Sequence, residues 1–222
     1  MAEKQNKKSF SNIADKIKKR KTPKDVFITP LKLAKFAIDM IIKDIDKHTR
    51  SSDRSIPFVW CDNCKNSGAY YNQFPENYRK EYCEILEGKD FFEYNFIKKN
   101  KNEELILCSN PPYSILDKWF QKCIDLKPKY MSFLIGNNNL TTKRMELFEN
   151  NNYDIVHLHY CKVFKWFGMS NIILLKRNDF KLKGAKWDQK ITFDRVVWYE
   201  EKELIKRGKK KHIKKMKNIM KK

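Results

Sequence analysis

One short segment of the chain carries residue types suited to holding an amine. Asn110, Pro111, Pro112 and Tyr113 follow directly on the apolar run 104–108. Two consecutive prolines remove two backbone donors and fix φ, so the chain leaves the run as a rigid extended piece. The Asn110 side chain and the Pro111 carbonyl then supply two hydrogen-bond acceptors, with the aromatic face of Tyr113 beside them. We predict that these four residues form a catalytic motif.

Two acceptors beside an aromatic ring match the demand of one kind of substrate. The exocyclic amine of adenine is a poor nucleophile, because its lone pair delocalises into the ring. Acceptors that hold its two N–H groups favour a more tetrahedral nitrogen. The aromatic side chain would stack on the base once the base has left the duplex. The motif therefore indicates chemistry at a nucleobase amine, with a strand-terminating turn as the purely structural alternative.

The elements around the motif must bring distant segments together. Short apolar runs alternate with amphipathic segments, which predicts an α/β fold: a mostly parallel twisted sheet with helices on both faces. The predicted strands cover 56–61, 82–86, 104–108, 130–135, 153–158 and 171–175, the predicted helices start at Pro30, Ser114 and Thr141, and 179–204 suggests a short strand pair or an extension. Ligands of such sheets bind at the carboxyl ends of the strands.

Two further segments would border the same edge of the sheet. The segment 25–30 (Asp-Val-Phe-Ile-Thr-Pro) ends in a good helix start, with Thr29 as the N-cap and Pro30 at the first helical position. Asp62 ends the first predicted strand, and a polar loop runs from it to Gly68. We expect both segments to lie beside the catalytic motif.

Taken in the order in which they occur along the chain, these segments resemble those of amino-methyltransferases that use S-adenosylmethionine. Residues 110–113 resemble the catalytic (Asn/Asp/Ser)-Pro-Pro-(Tyr/Phe/Trp) signature, and 25–30 resembles the Asp-x-Phe-x-Thr-Pro segment of DNA adenine methyltransferases. Segments 58–74 and 131–148 are similar to EcoRI-type adenine methylases, and the early Thr-Pro is similar to that of phage-type enzymes. The resemblance implies a Rossmann-like class I methyltransferase fold with an antiparallel final strand, S-adenosylmethionine as cofactor, and the N6 amine of adenine as acceptor.

The resemblance also implies roles for individual residues. Asn110 and the Pro111 carbonyl would accept from the target amine, and Tyr113 would stack on the base. The implied cofactor-binding residues are Phe27, Thr29, Pro30, Asp62, Asn63, Gly68, Asp90, Phe91 and Asn110. Asp90 would bind the adenine amine of the cofactor, with the next aromatic residue against that ring, and Glu84 is a candidate for the ribose-binding acid. No metal ligand is implied.

The chain departs from the family's pattern in the loop after the first strand. Asn66 stands where the pattern Asp-x-x-x-Gly-x-Gly has its first glycine, and only Gly68 is kept. This departure motivates an alternative hypothesis, a catalytically lapsed nucleic-acid-binding subunit of a methyltransferase complex. An RNA adenine methyltransferase and a protein glutamine methyltransferase, which also uses Asn-Pro-Pro-Tyr, are further alternatives.

The charge of the chain is concentrated at its two ends. The 48 Lys and Arg and 27 Asp and Glu of the 222 residues give a net charge of +21. Segment 1–24 carries +7 and segment 205–222 carries +10, which leaves +4 for the rest. We therefore predict two basic arms around a methyltransferase domain at 25–204. Such arms bind polyanions by releasing counterions from phosphates, so nucleic acid is the expected partner, with DNA favoured.

The spacing leaves no room for a separate target-recognition domain. Only 47 residues separate Asp62 from Asn110, and the sheet needs all of them. Sequence specificity would be low or supplied by a protein partner, with Trp166, Phe167 and Trp198 as candidates for stacking on bases. The six cysteines and the absence of an apolar export signal predict reduced thiols and an intracellular location, cytoplasmic in a bacterium or virus-infected cell, or nuclear in a eukaryote.

Overall fold

One sheet of seven strands runs through the described part of the chain. The structure is a computed structural model and describes residues 27–48, 56–163, 168–179 and 189–197. The strands are β1 (Phe58–Asp62), β2 (Arg79–Tyr82), β3 (Glu104–Ser109), β4 (Tyr130–Gly136), β5 (Tyr153–Lys162), β6 (Ser170–Arg177) and β7 (Lys190–Val197). They lie in the order β2-β1-β3-β4-β6-β5-β7.

One strand of this sheet, β6, runs opposite to the others. β2, β1, β3 and β4 pair in parallel, whereas β6 pairs antiparallel with both β4 and β5. The antiparallel strand expected at the end of the core sheet is therefore β6. A further strand, β7, lies beyond it in the chain and pairs in parallel with β5 at the sheet edge. The predicted mostly parallel α/β fold is confirmed.

Helices cover both faces of the sheet. Side chains alternate between the two faces along each strand, so every central strand contributes to two cores. Helix α1 (Leu31–His48) packs on one face, and its Ile38 and Ile41 lie in one core cluster with Trp60 and Ile106. Helices α2 (Leu116–Asp125) and α3 (Thr142–Asn150) pack on the other face. The inward residues predicted for α2 are all buried: Leu116, Trp119, Phe120, Cys123 and Ile124.

One strand prediction was wrong in detail. The strand expected at 82–86 lies instead at Arg79–Tyr82, and residues Ile85–Glu87 form a 3₁₀ turn. The strand was missed because its four residues, Arg-Lys-Glu-Tyr, are half-buried at a sheet edge and carry no apolar pattern. For the strand pair suggested within 179–204, the described residues contain one strand, β7.

The fold places the predicted site segments at one edge of the sheet. β1, β3 and β4 are neighbours and run in the same direction, so their carboxyl ends lie side by side. Asp62 ends β1, Asn110 follows β3, and the segment 27–30 lies against Asn110. Segments that are more than 80 residues apart in the chain therefore meet at this edge.

A buried ion pair joins α1 to the sheet. Lys176 Nζ on β6 lies 2.9 Å from Asp44 Oδ2, and the side chain of Lys176 is 3% exposed. The Tyr130 hydroxyl donates to the same carboxylate oxygen at 3.0 Å. Burial lowers the pKa of Lys176, although Asp44 partly offsets that effect. Lys176 therefore depends on the Asp44 carboxylate to stay charged in this buried position.

We expect Asp44→Ala to lower the free energy of unfolding by about 3–5 kcal/mol, because it leaves the Lys176 charge buried and unpaired. Asp39→Ala is the matched control, since Asp39 forms an exposed ion pair with Lys35 on the same helix and should cost below about 1 kcal/mol. Urea unfolding followed by circular dichroism measures both. Equal losses of unfolding free energy in the two variants would contradict the explanation that the buried, unpaired Lys176 charge causes the larger effect.

Several expectations concern residues outside the described ones. These are the arms 1–24 and 205–222, the beginning of the segment 25–30, and the stacking candidates Trp166, Phe167 and Trp198. Among the helices that the structure describes, none combines the length and apolarity needed to cross a bilayer.

Candidate active site at the carboxyl edge of the sheet

Asn110 presents a fixed acceptor at the end of β3. Its Nδ2 donates to the Phe27 carbonyl at 3.1 Å and contacts Thr29 Oγ1 at 3.2 Å. Because a carbonyl only accepts, this pair of contacts fixes the orientation of the amide. Asn110 Oδ1 is buried and has no hydrogen-bond partner among the described residues. Buried acceptors are nearly always paired in native proteins, so this atom is a candidate for binding a ligand donor.

The two prolines and Tyr113 form the wall next to this acceptor. Pro111 is buried, and Pro112 is extended (φ −68°, ψ 120°) before a 3₁₀ turn at Tyr113–Ile115. The Tyr113 hydroxyl donates to the Leu134 carbonyl of β4 at 3.3 Å, and its ring centroid lies 5.8 Å from that of Phe27. The ring is thereby held between the ends of β3 and β4, as a stacking surface requires.

The segment before α1 completes this side of the site. Thr29 and Pro30 are buried. The Pro30 carbonyl accepts from the N–H groups of Leu33 and Ala34, so the helix begins at this point. The same short segment therefore starts α1 and holds the Asn110 amide.

Asp62 is the buried carboxyl group of the site. It is 0% exposed, and its two oxygens accept from the N–H groups of Cys64 (3.3 Å) and Tyr71 (3.2 Å). Burial raises the pKa of Asp62 to about 7, although the two backbone donors oppose that shift. A cationic ligand group beside it would favour the ionised form.

Asn63 faces the other side of the sheet end. Its Oδ1 accepts from the Ser109 hydroxyl at 2.6 Å, and its Nδ2 contacts Cys123 Sγ on α2 at 3.5 Å. These contacts tie the end of β1 to the end of β3 and to α2. The structure thus gives Asn63 a supporting position, and it is not among the residues that line the recess described below.

The loop after Asp62 contains two residues with left-handed backbone. Gly68 has φ +78°, and Asn66, at the position of the missing glycine, has φ +45°. Asparagine adopts this left-handed conformation more readily than other side chains. The Asn66 N–H donates to Glu84 Oε2 at 2.6 Å, which anchors the loop to the segment after β2. Asn66 therefore adopts a backbone conformation that glycine could also adopt.

We expect Asn66→Gly to change the free energy of unfolding by less than about 0.5 kcal/mol and Asn66→Ala to lower it by about 1 kcal/mol, because only alanine resists the positive φ. Asn77→Ala, at an exposed position with ordinary φ, is the control and should have little effect. Urea unfolding checks all three. If Asn66→Gly were as unstable as Asn66→Ala, the positive φ would not explain why asparagine stabilises the fold at position 66.

The carboxylate of Glu84, the candidate ribose-binding acid, already accepts hydrogen bonds from backbone N–H groups. Besides Asn66, it accepts from the Leu86 N–H at 3.2 Å and so caps the 3₁₀ turn. Beside it, Lys65 pairs with Glu87 at 2.8 Å and lies over the ring of Tyr82 at 3.9 Å. The carboxylate lies near the loop, and its two oxygens already accept from the backbone.

Asp90 and Phe91 do not line the recess beside Asn110. Asp90 Oδ1 accepts from the Phe92 N–H at 2.9 Å, and Phe91 is 3% exposed with its ring centroid 4.3 Å from that of Trp119. Phe91 therefore packs in the core on the α2 face. Sequence reasoning could not separate this packing role from contact with a cofactor ring.

A narrow recess lies between the loop, the segment 27–30 and Asn110. Its volume is about 20 Å³, and its lining includes Phe27, Thr29, Asn66, Tyr70 and Asn110. Tyr70, which sequence reasoning missed, contributes a second buried polar atom, a hydroxyl without a partner among the described residues. The only sequence signal for it was the aromatic character of 68–74. Larger cavities of about 530, 500 and 340 Å³ lie elsewhere, away from these residues.

Comparison with known proteins identifies the fold. No family model and no curated protein matches the chain. A candidate class I S-adenosylmethionine-dependent methyltransferase from Listeria monocytogenes superposes with a TM-score of 0.53 at 13% identity, over 79% of this chain and 68% of that one. The fold is that of a class I methyltransferase. This likeness shows the fold alone, so any reaction must be argued from the residues at the carboxyl edge of the sheet.

Two further structures are similar at a lower level. The type I restriction-modification methyltransferase subunit from Streptococcus thermophilus gives a TM-score of 0.41 at 15% identity, over 68% of this chain and 45% of that one. The DrdV–DNA complex gives 0.45 at 12% identity, over 82% of this chain and 29% of that one. The chain thus spans less than half the length of these two proteins.

Proposed function

We propose that this protein transfers a methyl group from S-adenosylmethionine to the exocyclic N6 amine of adenine in nucleic acid, with DNA favoured over RNA. The observation that carries the proposal is the Asn110 amide, whose orientation is fixed and whose Oδ1 is buried without a described partner. It stands at the carboxyl end of β3 and is followed by two prolines and an aromatic ring. Chemistry at an amine needs such an acceptor.

The residues around the recess fit S-adenosylmethionine in chemical type. Phe27 and Thr29 in the lining offer an apolar wall and a hydroxyl, and the loop at 66–68 offers left-handed backbone. Asp62, which is fully buried and outside the lining, offers a carboxyl group whose ionised form a ligand ammonium would favour. When bound, the cofactor supplies a methyl group on a sulfonium centre. A recess of about 20 Å³ holds about one water molecule, so cofactor binding would require the site to open.

The chain's own residues would then act on the amine. Asn110 Oδ1 and the Pro111 carbonyl accept from its two N–H groups and favour a nitrogen with a localised lone pair. Tyr113, held by its hydroxyl to β4, stacks on the base. No covalent nucleophile would be required, because the amine itself would accept the methyl group; the S–CH3 bond would break, the cofactor would leave as S-adenosylhomocysteine, and one amine proton would be released.

Two observations favour an active enzyme over a lapsed subunit. The loop retains its left-handed backbone despite the lost glycine, and the amide of Asn110 is held for an acceptor role. A lapsed site would have no reason to keep a buried acceptor without a partner, since such an atom costs stability.

Methyl transfer from tritiated S-adenosylmethionine to DNA, RNA and a mixed protein extract tests the proposal directly. We expect label in DNA that elutes as N6-methyladenine after digestion to nucleosides. Label found in RNA alone, or in protein glutamine, would mean that RNA or protein is the substrate and DNA is not. No transfer, together with no binding of S-adenosylmethionine in calorimetry with DNA present, would favour the lapsed subunit.

Deletion of residues 205–222 is expected to weaken DNA binding and to flatten its dependence on salt. The deleted segment carries ten Lys and Arg and no acid, and each phosphate contact contributes about 0.9 to the slope of log K against log salt concentration. Fluorescence anisotropy from about 50 to 200 mM salt measures that slope. An unchanged slope would mean that this segment does not contact phosphates.

A further inference from the structure

A turn after β4 stands beside the catalytic motif. Residues Asn137–Asn139 form this 3₁₀ turn at the carboxyl end of the strand next to β3. The Asn137 N–H donates to the Met169 carbonyl at 2.9 Å. Arg144 donates to the Asn139 carbonyl at 2.8 Å and to Asp117 Oδ1 at 2.7 Å. The turn is thereby linked to the first turn of α2, which follows the catalytic motif in the chain.

A buried asparagine orients the first side chain of this turn. Asn171, at the start of β6, is 0% exposed, and its Nδ2 donates to Asn137 Oδ1 at 3.1 Å. This bond directs the amide oxygen of Asn137 to Asn171, and the NH₂ group of the exposed Asn137 side chain can donate to another acceptor. Asn171 Oδ1 is itself buried without a partner among the described residues. Apolar packing does not explain such a pair, because a buried unpaired acceptor costs stability.

Tyr113 links the segment after β3 to β4. Its hydroxyl is bonded to Leu134 on β4, the strand that leads to Asn137, and its ring contacts Phe27, whose carbonyl holds Asn110. A base stacked on Tyr113 would therefore have Asn110 on its β3 side and Asn137 on its β4 side.

We propose that Asn137 donates a hydrogen bond to N7 of the target adenine and that Asn171 is a positioning residue for Asn137. This inference rests on the proposed function. Adenine presents an amine donor beside the N7 acceptor on one edge, whereas cytosine has no acceptor at the corresponding position. Asn110 Oδ1 as acceptor and Asn137 Nδ2 as donor match the adenine edge. The pair would make the site selective for adenine.

DNA copied with 7-deaza-dATP in place of dATP tests the proposal without knowledge of the target sequence. It keeps the amine and removes the N7 acceptor at every adenine. We expect kcat/KM of the wild-type protein to fall about tenfold on this DNA, and that of Asn137→Ala to be the same on both DNAs, because the variant has already lost the bond. Asn138→Ala, at the next and also exposed position, should behave like the wild type.

Asn171→Leu tests the positioning role. We expect it to reduce the discrimination against 7-deaza DNA as Asn137→Ala does, a readout that a purely structural role would leave unchanged. A lower melting temperature with unchanged discrimination would overturn the role of Asn171. Equal losses on 7-deaza DNA in the wild type and Asn137→Ala, or no loss in either, would overturn the role of Asn137. Absence of transfer to any nucleic acid would overturn the proposed function itself.

Discussion

The variant Asn110→Ala is expected to lose methyl transfer almost completely. Alanine removes the acceptor that would hold the amine, and we expect kcat/KM to fall by about two to three orders of magnitude, as when one preorganised polar group is removed from an active site. The variant also loses the two contacts to Phe27 and Thr29, which should lower the free energy of unfolding by only about 1–2 kcal/mol. Transfer of labelled methyl groups to DNA and urea unfolding measure the two effects separately.

Two further variants show whether this loss is specific. Asn102→Ala is the matched control, since Asn102 is exposed and precedes β3 at its opposite end, and it should keep full activity. Asn110→Asp keeps acceptor oxygens and should retain more activity than alanine. Methyl transfer by Asn110→Ala at the wild-type rate would contradict the role assigned to Asn110, whether or not the cofactor-binding residues are assigned correctly.

The variant Asp62→Asn is expected to change how stability depends on pH. The Asp62 carboxyl titrates with a pKa of about 7 in the folded chain, against an ordinary value of 3.8. Between these values the folded state binds more protons than the unfolded state, so the free energy of unfolding falls as pH rises from about 4 to 7. The full difference corresponds to roughly 4 kcal/mol, and Asp62→Asn should remove this slope.

The two stability curves should cross near neutral pH. Asparagine has one acceptor oxygen for the two N–H groups that Asp62 binds, so the variant should be less stable than the wild type by about 1–3 kcal/mol at pH 5. At pH 8 the wild type has lost its advantage and the variant should be the more stable. Melting temperatures from pH 4 to 8 check this, with Asp46→Asn, exposed on α1, as control. Parallel curves for the wild type and Asp62→Asn would contradict the raised pKa.

The order of strands and helices followed from local patterns. Five of the six core strands were predicted within a few residues. Four of them, β1, β3, β4 and β6, are apolar runs buried on both faces, whereas β5 is a partly buried strand that extends four residues past its predicted end. β2 was misplaced because its polar residues form an edge strand. The start of α1 at the Thr-Pro pair was also predictable, since proline fits the first turn of a helix.

The candidate site was predictable only in part. The sequence by itself determined the acceptor-Pro-Pro-aromatic motif at the end of β3 and an acid at the end of β1, because each depends on residues that are adjacent in the chain. Only the tertiary structure decided that Asn110 is held by residues about 80 positions away, that Phe91 packs in the core, and that Asn171 orients Asn137. The reason is physical: the orientation of an amide and the burial of a ring depend on partners from other strands, which local sequence does not specify.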